Sequence, residues 1–409
     1  MKILVIGNGG REHALAWRLA LEGHDVFGTS GDAGGNPGIA QVGRLIAAGK
    51  QAPGDFIAAA ESAGIDLTVV GPEVPLAAGV VDAFRARGLK IVGPNQQNAR
   101  LEASKIHSKE FMQRLGIPTA RFLQTESQAD AIAALEQFSF PLVIKADGLA
   151  AGKGVIIAQH RAEAEAAVLS LGPKLVIEEF LTGEEVSFIV LCDGKTFVPL
   201  EATQDHKAIF DGDKGPNTGG MGAYCDGRIL DSKDAQFVLD RVIEPTIAAT
   251  GFTGFLYAGL MITADGPKVL EFNVRLGDPE TQPLMHRLED GFADVLMMSA
   301  SGSLRGAKLR WKPNPSVCVV MAAHGYPAQV RTGDLITGIK GCGAQVFQAG
   351  TKATTRGLET AGGRVLGVTS SGPDLASAIR NTYDAAAKIQ FDGMQYRSDI
   401  GKKGLKRWI

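Results

Sequence analysis

The chain is poor in cysteine and aromatic residues, has no long apolar runs, and carries almost no net charge. Its four cysteines in 409 residues, Cys192, Cys225, Cys318 and Cys342, show no Cys-x-x-Cys and no paired histidine spacing, and are expected to be reduced core thiols. The seven histidines show no ligand spacing either. No apolar run approaches the ~20 residues that span a bilayer, so no membrane partner is expected. The opening Met1-Lys2-Ile3-Leu4-Val5-Ile6-Gly7 runs straight into glycine and does not resemble a cleavable leader. The expected address is the cytoplasm. A formal net charge of -2 provides no basic field, and no nucleic-acid partner is expected.

What the chain has in abundance is glycine, 52 residues of it, on a background of 45% hydrophobic and 21% charged residues. That composition belongs to an ordinary folded protein with many tight turns, and the length predicts two to four domains. A strand at Lys2 to Ile6, the turn Gly7-Asn8-Gly9-Gly10 and an amphipathic helix from about Arg11 to Leu21 together predict an anion site over Asn8, Gly9 and Gly10, at the positive end of the helix. Glu12 stands where a dinucleotide fingerprint needs its third glycine, which argues against a nicotinamide cofactor. Further strands at Leu67 to Val70 and Lys90 to Val92 extend a doubly wound βαβ sheet. Glu73 then lies at the carboxyl end of a strand, either as a ribose ligand or as a plain turn carboxylate.

A helix from about Ser104 to Leu115 carries Lys105. After it come a helix at Gln128 to Gln137, strands at Leu142 to Ala146, Val155 to Ala158 and Leu175 to Glu179, and a helix at Ala162 to Leu171. The loop Asp147 to Gly154 is rich in glycine but is not a Walker A loop, because the strand Val155-Ile156-Ile157 follows and no Ser or Thr comes after Lys153. Lys145 and Lys153 beside such a loop suit phosphate. Val176 to Glu185 turns an apolar strand into an acidic elbow, which taken alone reads as a solvated loop. The stretch Gln204 to Gly222 reads as a long functional loop in which Asn217, Thr218, Gly219 and Gly220 form a backbone nest for anions. A helix is expected near Asp231 to Ala249, and a hairpin from Gly254 that turns at Ala264-Asp265-Gly266. Arg310 to Pro315 is the clearest linker, and the small α+β domain beyond it shows no catalytic cluster.

The most informative strand is Val269-Leu270-Glu271-Phe272-Asn273-Val274-Arg275. Alternation puts Glu271, Asn273 and Arg275 on one face. A carboxylate and a carboxamide two residues apart offer oxygen ligands to a hard cation such as magnesium, and Arg275 can fork onto a carboxylate or phosphate. Glu-x-Asn alone would equally suit a solvated edge strand. The residues that follow, Leu276-Gly277-Asp278-Pro279-Glu280, narrow the choice.

Four blocks in chain order, Gly7 to His13, Lys145 to Gly154, Gly215 to Gly222 and Arg275 to Glu280, resemble the phosphoribosylamine-glycine ligase family of ATP-grasp enzymes. The resemblance implies an α/β and α+β multidomain chain: an N-terminal doubly wound βαβ domain at 1–103, an ATP-grasp core at 104–312 with a lid at about 119–186, and a small C-terminal α+β domain at 313–409. It implies ligation of glycine to 5-phosphoribosylamine through glycyl phosphate, with ATP as co-substrate and Mg2+ or Mn2+ as metal. Lys105, Lys145 and Arg275 become the catalytic cations. Lys105, Lys145, Lys153, Glu178, Leu181 and Glu185 face ATP, and Glu271 and Asn273 hold metal. Asn8, Gly9, Gly10, Glu73, Asn217, Thr218, Gly219, Gly220, Arg275 and Asp278 face the other substrates. The strand before Glu271 lacks the further acidic ligand of many ATP-grasp enzymes, which puts a second metal site in doubt. The partners are small molecules, and the expected state is a monomer or weak homodimer. Two competing readings are a ligase of another acid, which should lack the Arg275 to Glu280 string, and a non-catalytic nucleotide-binding regulator, which should lack Glu271 and Asn273.

Overall fold

The computed structural model describes residues 1–32, 34–149 and 154–409. At the N-terminus, the apolar strand Lys2–Ile6 is flanked in parallel by Asp25–Gly31 and Leu67–Val70. Arg44–Ala47 and Ile91–Val92 extend the sheet in parallel on either side. Helices such as Gly10–Leu21 and Pro53–Ala63 make the crossovers, as parallel pairing requires. This is the doubly wound sheet expected from the strand spacing.

The stretch 122–179 forms a separate layer. Its four antiparallel strands run in the order Phe122–Thr125, Leu175–Glu179, Leu142–Ala146, Val155–Ala158. Helices Gln128–Ala134 and Arg161–Leu171 cover one face and bury a small apolar core of their own around Leu135, Ile144 and Val168.

A nine-stranded sheet carries the rest. Its main path runs Gly266–Asn273, Thr253–Thr263, Glu184–Asp193, Thr203–Asp205, Gly222–Cys225, Ser316–Ala322, Arg364–Ser371, Gln345–Gln348. Three findings depart from the sequence reading. The linker at 310–315 does not separate two sheets, because Gly222–Cys225 pairs antiparallel with Ser316–Ala322 across it. The stretch 204–222 is largely strand, including a hairpin of Ala208–Phe210 with Lys214–Asn217, because short β-prone runs there find partners that local sequence does not reveal. The helix near 231–249 is interrupted by a π turn at Leu239–Ile243 just before Pro245, which has no N–H to continue the ladder.

Candidate active site

The three parts enclose one cleft of about 440 Å³. The Gly266–Asn273 strand and its continuation form the floor, helix Lys105–Leu115 and the turn after Leu67–Val70 form one wall, and the four-stranded layer closes from above. Thirteen of the expected residues line it: Glu73, Lys105, Lys145, Glu178, Leu181, Glu185, Asn217, Thr218, Gly219, Glu271, Asn273, Arg275 and Asp278. Lys153 lies outside the described residues.

At one end the walls are apolar: Met112, Val143, Val155, Ile157, Phe180, Leu181, Met261 and Leu270 form a slot. Its polar floor is Glu178, 1% exposed, clamped between Lys109 Nζ at 3.1 Å and Lys145 Nζ at 3.0 Å. Lys145 also donates to Leu270 O at 3.1 Å, where a bulge opposite Gly259 and Leu260 leaves Leu270 unpaired in the ladder. Burial pushes the Lys109 ammonium down to about 8 despite the Glu178 charge. Lys105 begins its helix, which Ser104 caps through His107 N, and Asp147 from the glycine loop accepts from Ser104 Oγ and Ile106 N.

In the middle, Glu271 makes no ion pair or hydrogen bond through its side chain among the described residues. Burial works to raise its carboxyl, but Lys207, Lys105, Lys145 and Arg275 outweigh it and hold the group below its usual range. Asn273 Oδ1 accepts from Arg275 Nη2 at 3.3 Å. Arg275 in turn is fixed by Glu102 at 2.7 Å and lies 3.6 Å from Glu73, with its Nε lacking any hydrogen bond among the described residues. An unpartnered carboxylate beside a carboxamide oxygen fits magnesium, which usually takes one or two such ligands and completes its shell with water and phosphate oxygens. Among the described residues no three His, Cys, Asp or Glu side chains are placed to cage a metal unaided.

At the far end Arg364 enters from the C-terminal part. It donates to Gly219 O and to Asp278 O, and its Nη2 lies 3.4 Å from Asp278 Oδ2. Tyr257 OH donates to Glu280 Oε1 at 2.6 Å and lies 2.6 Å from Ser187 Oγ. Lys207 pairs with Glu185 at 2.8 Å and holds that carboxyl low. Burial pushes Asp205 up to about 7, against the pull of Lys207 and with the push of Glu280, Glu185 and Glu271.

Two expectations need correction. Asn8, Gly9, Gly10 and Gly220 do not line the cleft, although Gly9 abuts it: a Cβ there would stand 3.4 Å from Asp278 Oδ2. The Gly7 to Gly10 turn is occupied by its own protein. Glu12 Oε2 accepts from Gly9 N at 2.5 Å, and a Cβ on Gly7, Gly9 or Gly71 would collide with the Glu12 side chain. In the orientation its neighbours require, the Asn8 carboxamide donates to Thr29 O. The first-turn amides of Gly10, Arg11 and Glu12 are left without a partner among the described residues. The anion nest at 217–220 is likewise filled, because the amides of Thr218, Gly219 and Gly220 bond to Lys207 O, Tyr326 OH and Thr218 Oγ1.

Family models then place the whole arrangement. The N domain of phosphoribosylglycinamide synthetase matches residues 1–102, its ATP-grasp (A) domain 103–281 and its C domain 316–403. The chain belongs to the phosphoribosylglycinamide synthetase family. It is similar to the phosphoribosylamine–glycine ligase of Ralstonia nicotianae, 48% identical over 100% of both chains, and to that of Yersinia pestis, 47% identical over 100% of both. The crystal structure of the Thermotoga maritima phosphoribosylamine–glycine ligase superposes with a TM-score of 0.85 at 33% identity, over 98% of this chain and 100% of that one. A Campylobacter jejuni biotin carboxylase, 15% identical, superposes with a TM-score of 0.75 over 99% and 95% of the two chains and shares the fold alone.

Among the residues that line this cleft, Glu102, Lys109, Asp205, Lys207, Tyr257, Glu280 and Arg364 escaped the sequence reading. Lys109 had a usable signal, standing four residues from Lys105 on one helix face. Asp205 and Lys207 had another, standing two residues apart at the end of a strand. Arg364 had none, since it reaches the cleft from 86 residues beyond Asp278.

Proposed function

We propose that this chain ligates glycine to 5-phosphoribosylamine at the expense of ATP, by way of glycyl phosphate, and that the described cleft is where it does so. One observation carries the reading: Glu271 and Asn273 stand in a ring of Lys105, Lys145, Lys207 and Arg275, next to an apolar slot. Adenine would lie in the slot, and its phosphates would run toward Glu271. Glu271 and Asn273 would hold magnesium or manganese, whose chemistry there is to neutralise phosphate charge. Lys105 and Lys145 add fixed positive charge where the phosphoryl group transfers. A glycine carboxylate oxygen attacks the γ-phosphorus, the bond to the β-phosphate oxygen breaks, and ADP leaves. The amine of phosphoribosylamine then attacks the acyl carbon, loses a proton, and phosphate departs. The four-stranded layer over the cleft shields the acyl phosphate from water.

The amino-sugar phosphate is assigned to the Arg11 side chain, which lines the cleft, with the first-turn amides behind it at the cleft's edge, Glu73 toward the ribose and Asp278 between them. A cytoplasmic address and a monomeric or weakly dimeric state complete the reading, and four buried, unpaired cysteines fit it. The test is steady-state ADP release with glycine and freshly made phosphoribosylamine omitted in turn. Turnover is expected to need both. Efficient replacement of glycine by formate or bicarbonate would overturn the assignment.

A further inference from the structure

The floor of the cleft has an acidic corner that the phosphoryl-transfer groups leave unused. Gly259 stands in register between Glu271 and Ser187 and has no side chain, so the sheet is open there. Ser187 pairs with Thr203, and Asp205, two residues on, points to the same side. The Asp205 side chain is 7% exposed and lines the cleft. It accepts no hydrogen bond among the described residues, and its nearest cation, Lys207 Nζ, is 3.9 Å away and already paired with Glu185 at 2.8 Å. A carboxylate this buried is stable only beside a positive donor. Among the described residues the site supplies only Lys207, at 3.9 Å and shared with Glu185.

We propose that Asp205 is the seat of the α-ammonium group of the amino-acid substrate, and so a residue that selects an amino acid over other small carboxylic acids. The proposal rests on the ligase reading above and adds the orientation of glycine within it. An ammonium group has three donors, no acceptor and a compact charge, which suits one deeply placed carboxylate. A second divalent cation suits it less, because no three acidic groups converge among the described residues and Lys207 opposes a double charge more than a single one. With its ammonium on Asp205, glycine points its carboxylate back along the open floor at Gly259 toward Glu271 and Arg275, where the phosphoryl group arrives. Held protonated, the ammonium also draws electron density from the acyl carbon and favours attack on it.

The experiment compares glycine with glycolate, which replaces the ammonium by a neutral hydroxyl, as substrates for ADP release by the full chain. Asp205→Asn should raise the KM for glycine about 100-fold, the scale of losing one partner of a buried charge pair, and leave the KM for ATP within about threefold. The preference for glycine over glycolate should shrink by a similar factor, which a merely structural role would not produce. Asp205→Ser gives the same two readouts should the Asn variant not fold. A glycine KM within about threefold of the parent, or a preference that does not move, overturns the proposal, since a buried pair is worth more than that. A raised magnesium requirement with unchanged glycine KM overturns it in favour of a second cation site. Absence of glycine-dependent ADP release in the parent would instead sink the ligase reading itself.

Discussion

The glycine-rich turns and the charged strand at the cleft floor were both expected to bind anionic substrates, and the structure treats them differently. In the strand, Glu271 and Asn273, with Arg275 just beyond its end, line the cleft together, because past the bulge at Leu270 the alternation of extended backbone keeps them on one side. In the turns, the donors meant for ligands are spent inside the protein: Gly9 N on Glu12, and Gly219 N on Tyr326. A row of side chains advertises its direction. A row of amides does not advertise whether it is free.

The comparison can be broken most sharply at the floor. Glu271→Gln keeps the shape and removes the ionised oxygen, so turnover should fall on the order of 10³-fold while the melting temperature stays near that of the parent. Steady-state ADP release at limiting magnesium measures it, and near-parental turnover would remove Glu271 from the metal site. Next in size, Lys145→Ala takes a cation from the phosphates and leaves Glu178 to Lys109 alone. Its Kd for ATP should rise roughly 10- to 100-fold by calorimetry, and an unchanged value would put the triphosphate elsewhere.

The turns should answer in stability before they answer in binding. Glu12→Ala frees the part-buried Gly9 N and strips the buried Arg11 of its carboxylate partner at 2.5 Å, so unfolding in urea should show a loss of about 2 kcal/mol. A loss confined to phosphoribosylamine affinity, with stability intact, would restore the turn as an open anion site. Gly9→Val should be destabilising for the same reason, since its Cβ would meet Glu12 Oε2 at 2.7 Å.

The smallest effect lies in the packing behind that turn. Burial pushes His13 down to about 4, and its Nδ1 accepts from Gln348 N at 2.8 Å, a bond that only the neutral ring can make. The unfolded chain therefore binds a proton between pH 6.5 and about 4 that the folded chain refuses. Stability is full above 6.5 and falls as the pH drops through that window, by about 1.4 kcal/mol per pH unit for one histidine. His206 and His286 titrate in the same window. His13→Gln should lower the slope of unfolding free energy against pH by one proton and leave the other two, and an unaltered slope would show that His13 is charged in the fold.

Periodicity and turn chemistry made much of the architecture legible before any coordinates. The strands at Lys2–Ile6, Leu142–Ala146 and Leu175–Glu179, and the hairpin ending in Gly266–Asn273, lie where the pattern puts them, since strand alternation and glycine turns are local. The motif blocks, read together, pointed to the family. Only the tertiary structure decided which donors remain for a ligand, because that depends on residues distant in sequence. Glu178 is committed to two lysines, one of them 33 residues away on the strand beside it. Arg364 crosses from a strand that lies between Ser316–Ala322 and Gln345–Gln348 in the central sheet. Asp205 has only a 3.9 Å share of Lys207 because that lysine turns to Glu185 at 2.8 Å. The sequence by itself determined which chemical groups exist and which face of each strand they take. The packing of strands far apart in the chain determined which of those groups are already satisfied, and satisfaction is a matter of a few ångströms that no local pattern encodes.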